Sequence, residues 1–224
     1  MLEKYKHISF DLDGTLVHTM PEYRHKIVPE VVKELGGVIQ NKFSIDKFWF
    51  ESGRDEVVKN DFKLEPLLFW KLFHKKDSAA SRSQHTRAYE DAEAALRRIK
   101  EMGKLVSIIT GAPDWIFRME IQKLNGAPCD LYLSIHHEKF NPKPDPESFF
   151  HALKKLTIQP NETVYVGNSN EDAYFAKNAG VDFIYLERKE HQFDLRDHAI
   201  TTIHSLSELF GSFPYGEVMK FDVA

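Results

Sequence analysis

Cysteine is almost absent from this sequence of 224 residues, and its scarcity excludes a fold held together by disulfides. The single cysteine, Cys129, has no second thiol to pair with and no nearby cysteine or histidine at the spacing of a metal site. We therefore interpret Cys129 as a structural thiol. Because free thiols are typical of reducing compartments, a cytoplasmic location is expected.

Long apolar runs and a large excess of charge of one sign are also missing. No segment approaches the roughly 20 apolar residues of a membrane-spanning helix, and residues 1–6 lack the apolar stretch of a secretory signal. The formal net charge of −4 argues against non-specific nucleic-acid binding. We expect neither a membrane nor a nucleic-acid partner. A chain of this length suits one large domain, or a domain that carries an insert.

The octet from Phe10 to Val17 reads Phe-Asp-Leu-Asp-Gly-Thr-Leu-Val and follows an apolar stretch that predicts a buried strand. Asp11 and Asp13 would therefore lie where this strand ends, the place where ligand sites gather in open α/β sheets. Two carboxylates this close repel each other, and a bound Mg²⁺ would compensate the repulsion. The alternative interpretation is a strand followed by an ordinary Asp-Gly turn.

Strands and helices alternate regularly from Asp91 onward. Helices are predicted over 91–103, 115–124, 145–156, 170–180 and 203–210, and strands over 104–110, 130–135, 163–166 and 181–186. This alternation is typical of an α/β fold, a doubly wound parallel sheet with helices on both faces. Residues 18–88 break the pattern with helical segments such as 21–35 and 55–74 and no convincing strand, which indicates a helical insert.

Three polar groups follow later predicted strands. Thr110-Gly111 could offer a hydroxyl and backbone N–H groups to an anion, and Lys143 precedes a helix N-terminus suited to phosphate. Asn168, Glu171 and Asp172 bring oxygen ligands to the next strand end. Each group also has an ordinary interpretation, as a turn, a surface lysine or a helix cap. Their shared position at strand ends favours a common site.

These four segments resemble the motifs of the haloacid dehalogenase-like hydrolases. The matching residues are Asp11-Leu-Asp-Gly-Thr-Leu16, Thr110-Gly111, Lys143-Pro-Asp-Pro146 and Gly167-Asn-Ser-Asn-Glu-Asp172. The insert resembles the helical cap of phosphoglycolate-phosphatase-like members. The resemblance implies a Rossmann-like core of residues 1–17 and 89–224 and a helical cap of residues 18–88.

The resemblance also implies the chemistry. Asp11 would attack phosphorus and form an aspartyl-phosphate, and Asp13 would act as general acid and then general base. Thr110, Gly111 and Lys143 would bind the phosphoryl group. The metal ligands would be Asp11, the backbone carbonyl of Asp13, Asn168 and Asp172, with Mg²⁺ as the cofactor. The second acid favours phosphoryl transfer over dehalogenation.

Two residues depart from the family pattern. Asn168 stands where relatives carry an aspartate, so the ion would have one charged ligand fewer, which Asp172 or Glu171 could offset directly or through water. His18 replaces an acid found in many relatives, and a packing role is favoured for it.

The cap is expected to select the substrate. Glu51-Ser-Gly-Arg54 resembles the family's specificity loop, in which Arg54 could bind a substrate anion or be a solvated helix-start residue. Eight cap aromatics are predicted to form the cap core: Phe43, Phe48, Trp49, Phe50, Phe62, Phe69, Trp70 and Phe73. His136 and His137 are predicted to be loop residues on an extended segment.

The leading hypothesis is a Mg²⁺-dependent phosphatase of a small phosphorylated metabolite, acting as a monomer or homodimer. A catalytically weak binding or regulatory protein with the same fold is one alternative, prompted by Asn168. A phosphomutase of the same family is another. Residues 213–224 could be a strand, a docking arm or a disordered tail.

Overall fold

The structure is a computed structural model that describes residues 1–50, 53–188 and 193–211. The predicted tail at 213–224 and the first two residues of the predicted specificity loop, 51–52, lie outside the described residues. No helix in the described part of the chain is long and apolar enough to cross a membrane.

The described elements follow the predicted alternation. The strands are β1 (His7–Phe10), β2 (Val17–Thr19), β3 (Thr86–Ala88), β4 (Leu105–Thr110), β5 (Leu131–Ser134), β6 (Thr163–Gly167), β7 (Asp182–Leu186) and β8 (Thr201–Ile203). The helices are α1 (Pro21–Glu34), α2 (Lys42–Phe50), α3 (Arg54–Asn60), α4 (Pro66–Lys76), α5 (Ala79–Ser83), α6 (Ala92–Glu101), α7 (Asp114–Gln122), α8 (Ile135–Glu138), α9 (Glu147–Leu156) and α10 (Asn170–Ala179). Short 3₁₀ turns span Pro160–Glu162, Arg196–His198 and Leu206–Phe210.

Six strands form one parallel sheet in the order β5-β4-β1-β6-β7-β8. Alternate side chains of these strands enter two hydrophobic clusters, as the two-residue period of a strand requires. Ile108 belongs to a cluster shared with α6, and its neighbour Ile109 belongs to a cluster shared with α9 and α10. Helices therefore cover both faces of the sheet, and the predicted α/β doubly wound fold is confirmed.

A polar group lies inside the sheet near the start of β1. His7 is fully buried, with Nε2 2.8 Å from Ser107 Oγ and Nδ1 3.2 Å from Thr163 Oγ1. Burial lowers the pKa of His7 to about 4. His7 is therefore neutral in the folded protein near pH 7.

Helices α1 to α4 pack around a third cluster that is rich in aromatic side chains. Its centre is Phe48, whose ring lies 5.1 to 5.8 Å from those of Phe62, Phe69, Trp70 and Phe73. Phe43 departs from the predicted core role, because its side chain is 66% exposed. It lies on the first turn of α2, where one side of the helix faces open space.

The prediction of no strand in residues 18–88 is wrong. Strands β2 and β3 form a short antiparallel ribbon where the helical segment leaves and rejoins the rest of the chain. Across it, the hydroxyls of Thr19 and Thr86 lie 3.0 Å apart. Three-residue strands are too short to show an alternating pattern, so they could not be recognised from periodicity.

Three other segments differ from their predictions. The helix predicted over 55–74 is two helices, because Glu65 caps a new helix that opens at Pro66. The predicted terminal helix over 203–210 is instead the edge strand β8 followed by a 3₁₀ turn. His136 and His137 lie in the single helical turn α8, which Ser134 caps, and not on an extended segment.

Candidate active site

The carboxyl ends of three neighbouring strands bring the predicted residues together. Asp11 follows β1, Thr110 ends β4 and Gly167 ends β6, and the register places Phe10 beside Ile108 and Val166. The backbone N–H of Asp11 continues the ladder by donating to Val166 O at 3.0 Å. Parallel pairing thus aligns the three motifs at one edge of the sheet.

A cleft of about 1070 Å³ opens at this edge, between the sheet and the helices α2 to α4. All the residues predicted for the site line it: Asp11, Asp13, Arg54, Thr110, Gly111, Lys143, Asn168 and Asp172. The sequence prediction therefore selected residues that share one cleft.

Lys143 occupies the centre of the buried part of the site. Its Nζ lies 2.7 Å from Asp11 Oδ1 and 3.0 Å from Asp172 Oδ1, and the side chain is 3% exposed. Burial alone would lower the pKa of Lys143, but attraction to the two carboxylates outweighs burial and raises the pKa. Lys143 is therefore a fixed positive charge beside Asp11.

Asp172 holds this lysine in place. Its Oδ1 accepts hydrogen bonds from Lys143 and from the Tyr165 hydroxyl, which lies 3.2 Å away. Its Oδ2 accepts from the backbone N–H groups of Asn168 and Ser169 and from Ser169 Oγ. Burial favours the neutral acid, but Lys143 and these donors lower the pKa of Asp172. Both oxygens are thus occupied by protein donors.

Tyr165 is a member of this network that the sequence analysis missed. Its hydroxyl accepts from Lys143 Nζ at 2.7 Å and donates to Asp172, deep beneath the cleft. A tyrosine inside an apolar strand is normally interpreted as core. Its position two residues before Gly167 is the only sequence signal that places it near the site.

Asp11 lies at the floor of the cleft and is 8% exposed. Its Oδ1 accepts from Lys143, and its Oδ2 accepts from Thr15 Oγ1 at 3.3 Å. Burial raises the pKa of Asp11 to about 7, against the opposing attraction of Lys143. Asp13 is half-buried and lines the same cleft.

The turn that follows the two acids requires a glycine. Gly14 has a φ of +81°, and a Cβ atom there would lie 2.1 Å from Asn168 Nδ2. Both the left-handed backbone and the close approach of Asn168 exclude a side chain at this position. Gly14 therefore lets the first motif pack directly against the fourth.

The surroundings of Asn168 bear on whether this site could bind a divalent cation. Its Nδ2 is buried and has no hydrogen-bond partner among the described residues. Amide oxygen and nitrogen are distinguished only by their surroundings, and a half-turn of the amide would place Oδ1 at the unpaired position. Mg²⁺ prefers oxygen ligands, so the donor atoms that these residues offer are of the type that would bind the ion. The described residues contain no cluster of three or more acidic, histidine or cysteine side chains at metal-binding spacing.

The two remaining phosphate-binding candidates lie at the end of β4. Thr110 is buried, and its Oγ1 accepts from the Ala112 N–H at 3.1 Å, while Gly111 is exposed to the cleft. This hydrogen bond holds the turn that follows β4 close to Asp11.

Arg54 lies on the opposite wall, and its Nη2 donates to Trp49 O at 3.1 Å. Its side chain reaches solvent, but the walls of the cleft enclose it, and this enclosure together with nearby Arg82 lowers its pKa. Arg82, which the sequence analysis missed, lines the same wall. His18 lies outside this cleft and stacks on Tyr89, with ring centroids 4.4 Å apart.

Comparison with known proteins agrees with this geometry. A sequence profile described as haloacid dehalogenase-like hydrolase matches residues 8–186. The chain belongs to the haloacid dehalogenase-like hydrolases. This membership confirms the predicted family and the prediction of an enzyme, a phosphatase-type hydrolase.

Relatives and solved structures extend this family assignment. A phosphoglycolate phosphatase from Cereibacter sphaeroides is 28% identical over 211 residues, which cover 88% of this chain and 93% of that protein. A predicted phosphoglycolate phosphatase from Haemophilus somnus superposes with a TM-score of 0.77 at 18% identity, covering 94% of this chain and 98% of the other. A Thermotoga maritima protein assigned as a β-phosphoglucomutase has a TM-score of 0.69 at 20% identity, covering 91% and 96%. At these identities the two structures show the shared haloacid dehalogenase-like fold alone.

Proposed function

We propose that this haloacid dehalogenase-like hydrolase is a Mg²⁺-dependent phosphatase that cleaves a small phosphorylated metabolite through an aspartyl-phosphate. The observation that carries the proposal is the 2.7 Å contact between Lys143 Nζ and Asp11 Oδ1 on the floor of the cleft. This contact supports the proposal, because Asp11 would be the nucleophile and Lys143 beside it would hold a phosphoryl oxygen.

The proposed steps use the two acids in turn. Asp11 attacks phosphorus, the bond to the ester oxygen breaks, and Asp13 gives that oxygen a proton. Asp13 then takes a proton from water, and the resulting nucleophile releases phosphate from Asp11. The carboxyl of Asp11 must be ionised to attack, and the positive charge of Lys143 favours that form.

Phosphoryl binding is assigned to residues at the end of β4 and in the loop before α9. Lys143 would pair with the phosphoryl oxygens, and Thr110 and Gly111 would offer hydroxyl and backbone N–H donors to them. These groups would stabilise the charge that develops on the oxygens during transfer. Asp172 and Tyr165 would act through Lys143, which they hold in position.

The metal would be held by Asp11, the Asp13 carbonyl and Asn168, with Asp172 acting through water because its own oxygens already accept five hydrogen bonds. When bound, Mg²⁺ supplies charge that offsets repulsion between the phosphate and Asp11. Residues 18–88 would form the cap that selects the substrate, and residues 1–17 and 89–224 would form the catalytic core.

Release of phosphate from an aryl phosphate, with and without Mg²⁺, tests the proposal. Replacing Asp11 with Asn should reduce turnover by at least about 1000-fold while the protein still folds, because the nucleophile is lost. The matched control is Asp182→Asn, which changes a half-exposed acid at the amino end of β7, away from the carboxyl ends of the strands where the cleft lies. Retained turnover in the Asp11 variant would remove Asp11 as the nucleophile.

A binding or regulatory protein is the second candidate, and the uncharged Asn168 at the metal position favours it. Wild-type protein that is inactive with every divalent ion would support this candidate. Product analysis with sugar phosphates separates both from a phosphomutase, because a mutase returns an isomeric sugar phosphate and a phosphatase releases inorganic phosphate.

A further inference from the structure

Arg82 is a buried arginine on the cleft wall with no role in the proposed phosphoryl chemistry. It lies on α5, and its side chain is 8% exposed. Nε donates to Asp77 Oδ1 at 3.1 Å and Nη2 donates to Asp77 Oδ2 at 2.8 Å. The pair is bidentate and also buried at the aspartate, so the orientation of the guanidinium is fixed.

Aromatic rings enclose the same guanidinium. Its central carbon lies 4.8 Å from the Trp49 ring and 5.6 Å from the Trp115 ring. The Tyr23 hydroxyl, 2.8 Å from Asp77 Oδ1, holds the aspartate from behind. These contacts come from three different helices and leave the arginine little rotational freedom.

One donor of Arg82 remains available. Nη1 has no partner among the described residues, yet it is not closed off from solvent, and Arg82 lines the cleft. The nearby Glu120 does not occupy it, because neither carboxyl oxygen of Glu120 has a hydrogen-bond partner among the described residues. The Nη1 amino group of a buried arginine that lines the cleft therefore remains unpaired within the described part of the chain.

Arg54 adds a second guanidinium to the same wall. Asp77 balances the charge of Arg82, so the charge of Arg54 leaves this group of three side chains with a net positive charge. The phosphoryl group would lie against Lys143 at the sheet, so the arginines on the helical wall of the same cleft would contact another part of a bound substrate.

Building on the proposed function, we propose that Arg82 is a specificity-determining residue that, together with Arg54, binds a second anionic group on the leaving group of the substrate. The ligand chemistry is a planar or tetrahedral anionic oxygen group, either a carboxylate or a second phosphate. A guanidinium held by Asp77 between two indole rings binds such a group without first losing side-chain freedom.

Calorimetric binding tests this directly in the Asp11→Asn protein, which does not turn substrate over. Three probes are compared: phosphoglycolate, fructose 1,6-bisphosphate, and ethyl phosphate, which has the same two-carbon chain as phosphoglycolate but lacks the carboxylate. Of the two probes that carry a second anionic group, the one that fits the site should bind at least about tenfold more tightly than ethyl phosphate. Which probe shows the preference identifies the anion as carboxylate or phosphate.

Arg82→Met keeps an unbranched side chain between the two indoles and removes the donor. It should weaken binding of the preferred anionic probe by about 10- to 100-fold and that of ethyl phosphate by less than about threefold. Arg97→Met, which removes an exposed arginine paired with Glu93, is the matched control and should change neither. Because Arg82→Met leaves the Asp77 carboxylate unpaired, the Arg82→Met, Asp77→Asn double variant is measured as well, and thermal unfolding checks that each variant folds.

The outcomes separate the two proposals. Equal affinity for ethyl phosphate and both anionic probes, or an equal loss for all probes in the Arg82 variants, would overturn the role of Arg82 and leave the phosphatase standing. Absence of binding by any phosphomonoester would overturn the proposed function and this inference together.

Discussion

Replacing Lys143 with Met removes the only cation that touches both Asp11 and Asp172 in the described part of the chain. The two carboxylates lie 2.7 and 3.0 Å from Nζ, and the lysine side chain is 3% exposed. Breaking a buried pair leaves uncompensated charge, which costs about 3 to 5 kcal/mol of unfolding free energy. Because domains have only about 5 to 15 kcal/mol in total, the change should be large.

Urea unfolding in the presence of a chelator measures this change, because a bound divalent ion could replace the lysine charge. The matched control is Lys100→Met, which breaks a partly exposed pair with Asp130 at 2.7 Å and should cost about 1 kcal/mol or less. The loss should shrink at about pH 5, because the pKa of Asp172 rises once the lysine is removed and its carboxylate then accepts a proton. It should also shrink when Asp172→Asn is added.

A cost for Lys143→Met as small as that for the control would contradict the description of the site as a buried charge network. It would mean that solvent reaches the carboxylates and replaces the lysine. Phosphate release should fall by at least about 100-fold in the same variant, because a donor to the transferring oxygens is lost.

Two further changes test the metal site and the core. Asn168→Asp should tighten Mg²⁺ binding by about tenfold or more, since it restores a charged oxygen ligand, and calorimetry without substrate measures this; unchanged affinity would show that residue 168 does not contact the ion. His7 has a pKa of about 4 in the folded protein and about 6.5 in the unfolded chain. Between these two pH values the unfolded chain therefore binds more protons than the folded protein. The unfolding free energy should therefore drop by up to about 3 kcal/mol as the pH falls from about 6.5 to 4. Urea titrations of His7→Gln should lack this part of the drop. Identical pH profiles for the variant and the wild type would show that His7 is not the group responsible.

Strand ends were predictable because they follow from short-range patterns. Asp11, Thr110 and Gly167 each terminate an apolar run, and parallel pairing is enough to bring such residues to one edge of a sheet. The same logic predicted that Asn168 and Asp172 would lie near Asp11. Their placement did not require knowledge of any side-chain contact.

Contacts between distant side chains were not predictable in this way. Tyr165 and Arg82 look like an ordinary core tyrosine and a surface arginine in the sequence, and only the packing of separate helices and strands gives them polar partners. The exposure of Phe43 depends on which side of α2 remains uncovered. The β2–β3 ribbon depends on pairing between residues almost 70 positions apart, which leaves no periodic signal.

The hydrogen-bonded pair Thr19 and Thr86 marks where the helical segment leaves and rejoins the rest of the chain. The chain departs and returns at adjacent points of one ribbon, so the residues between them can be replaced without changing the register of the parallel sheet. A splice at this pair would join Asp11 and Asp13 of this chain to the helical segment of a relative. Under the proposed function, this ribbon is the boundary at which substrate preference would be exchanged while the chemistry is kept.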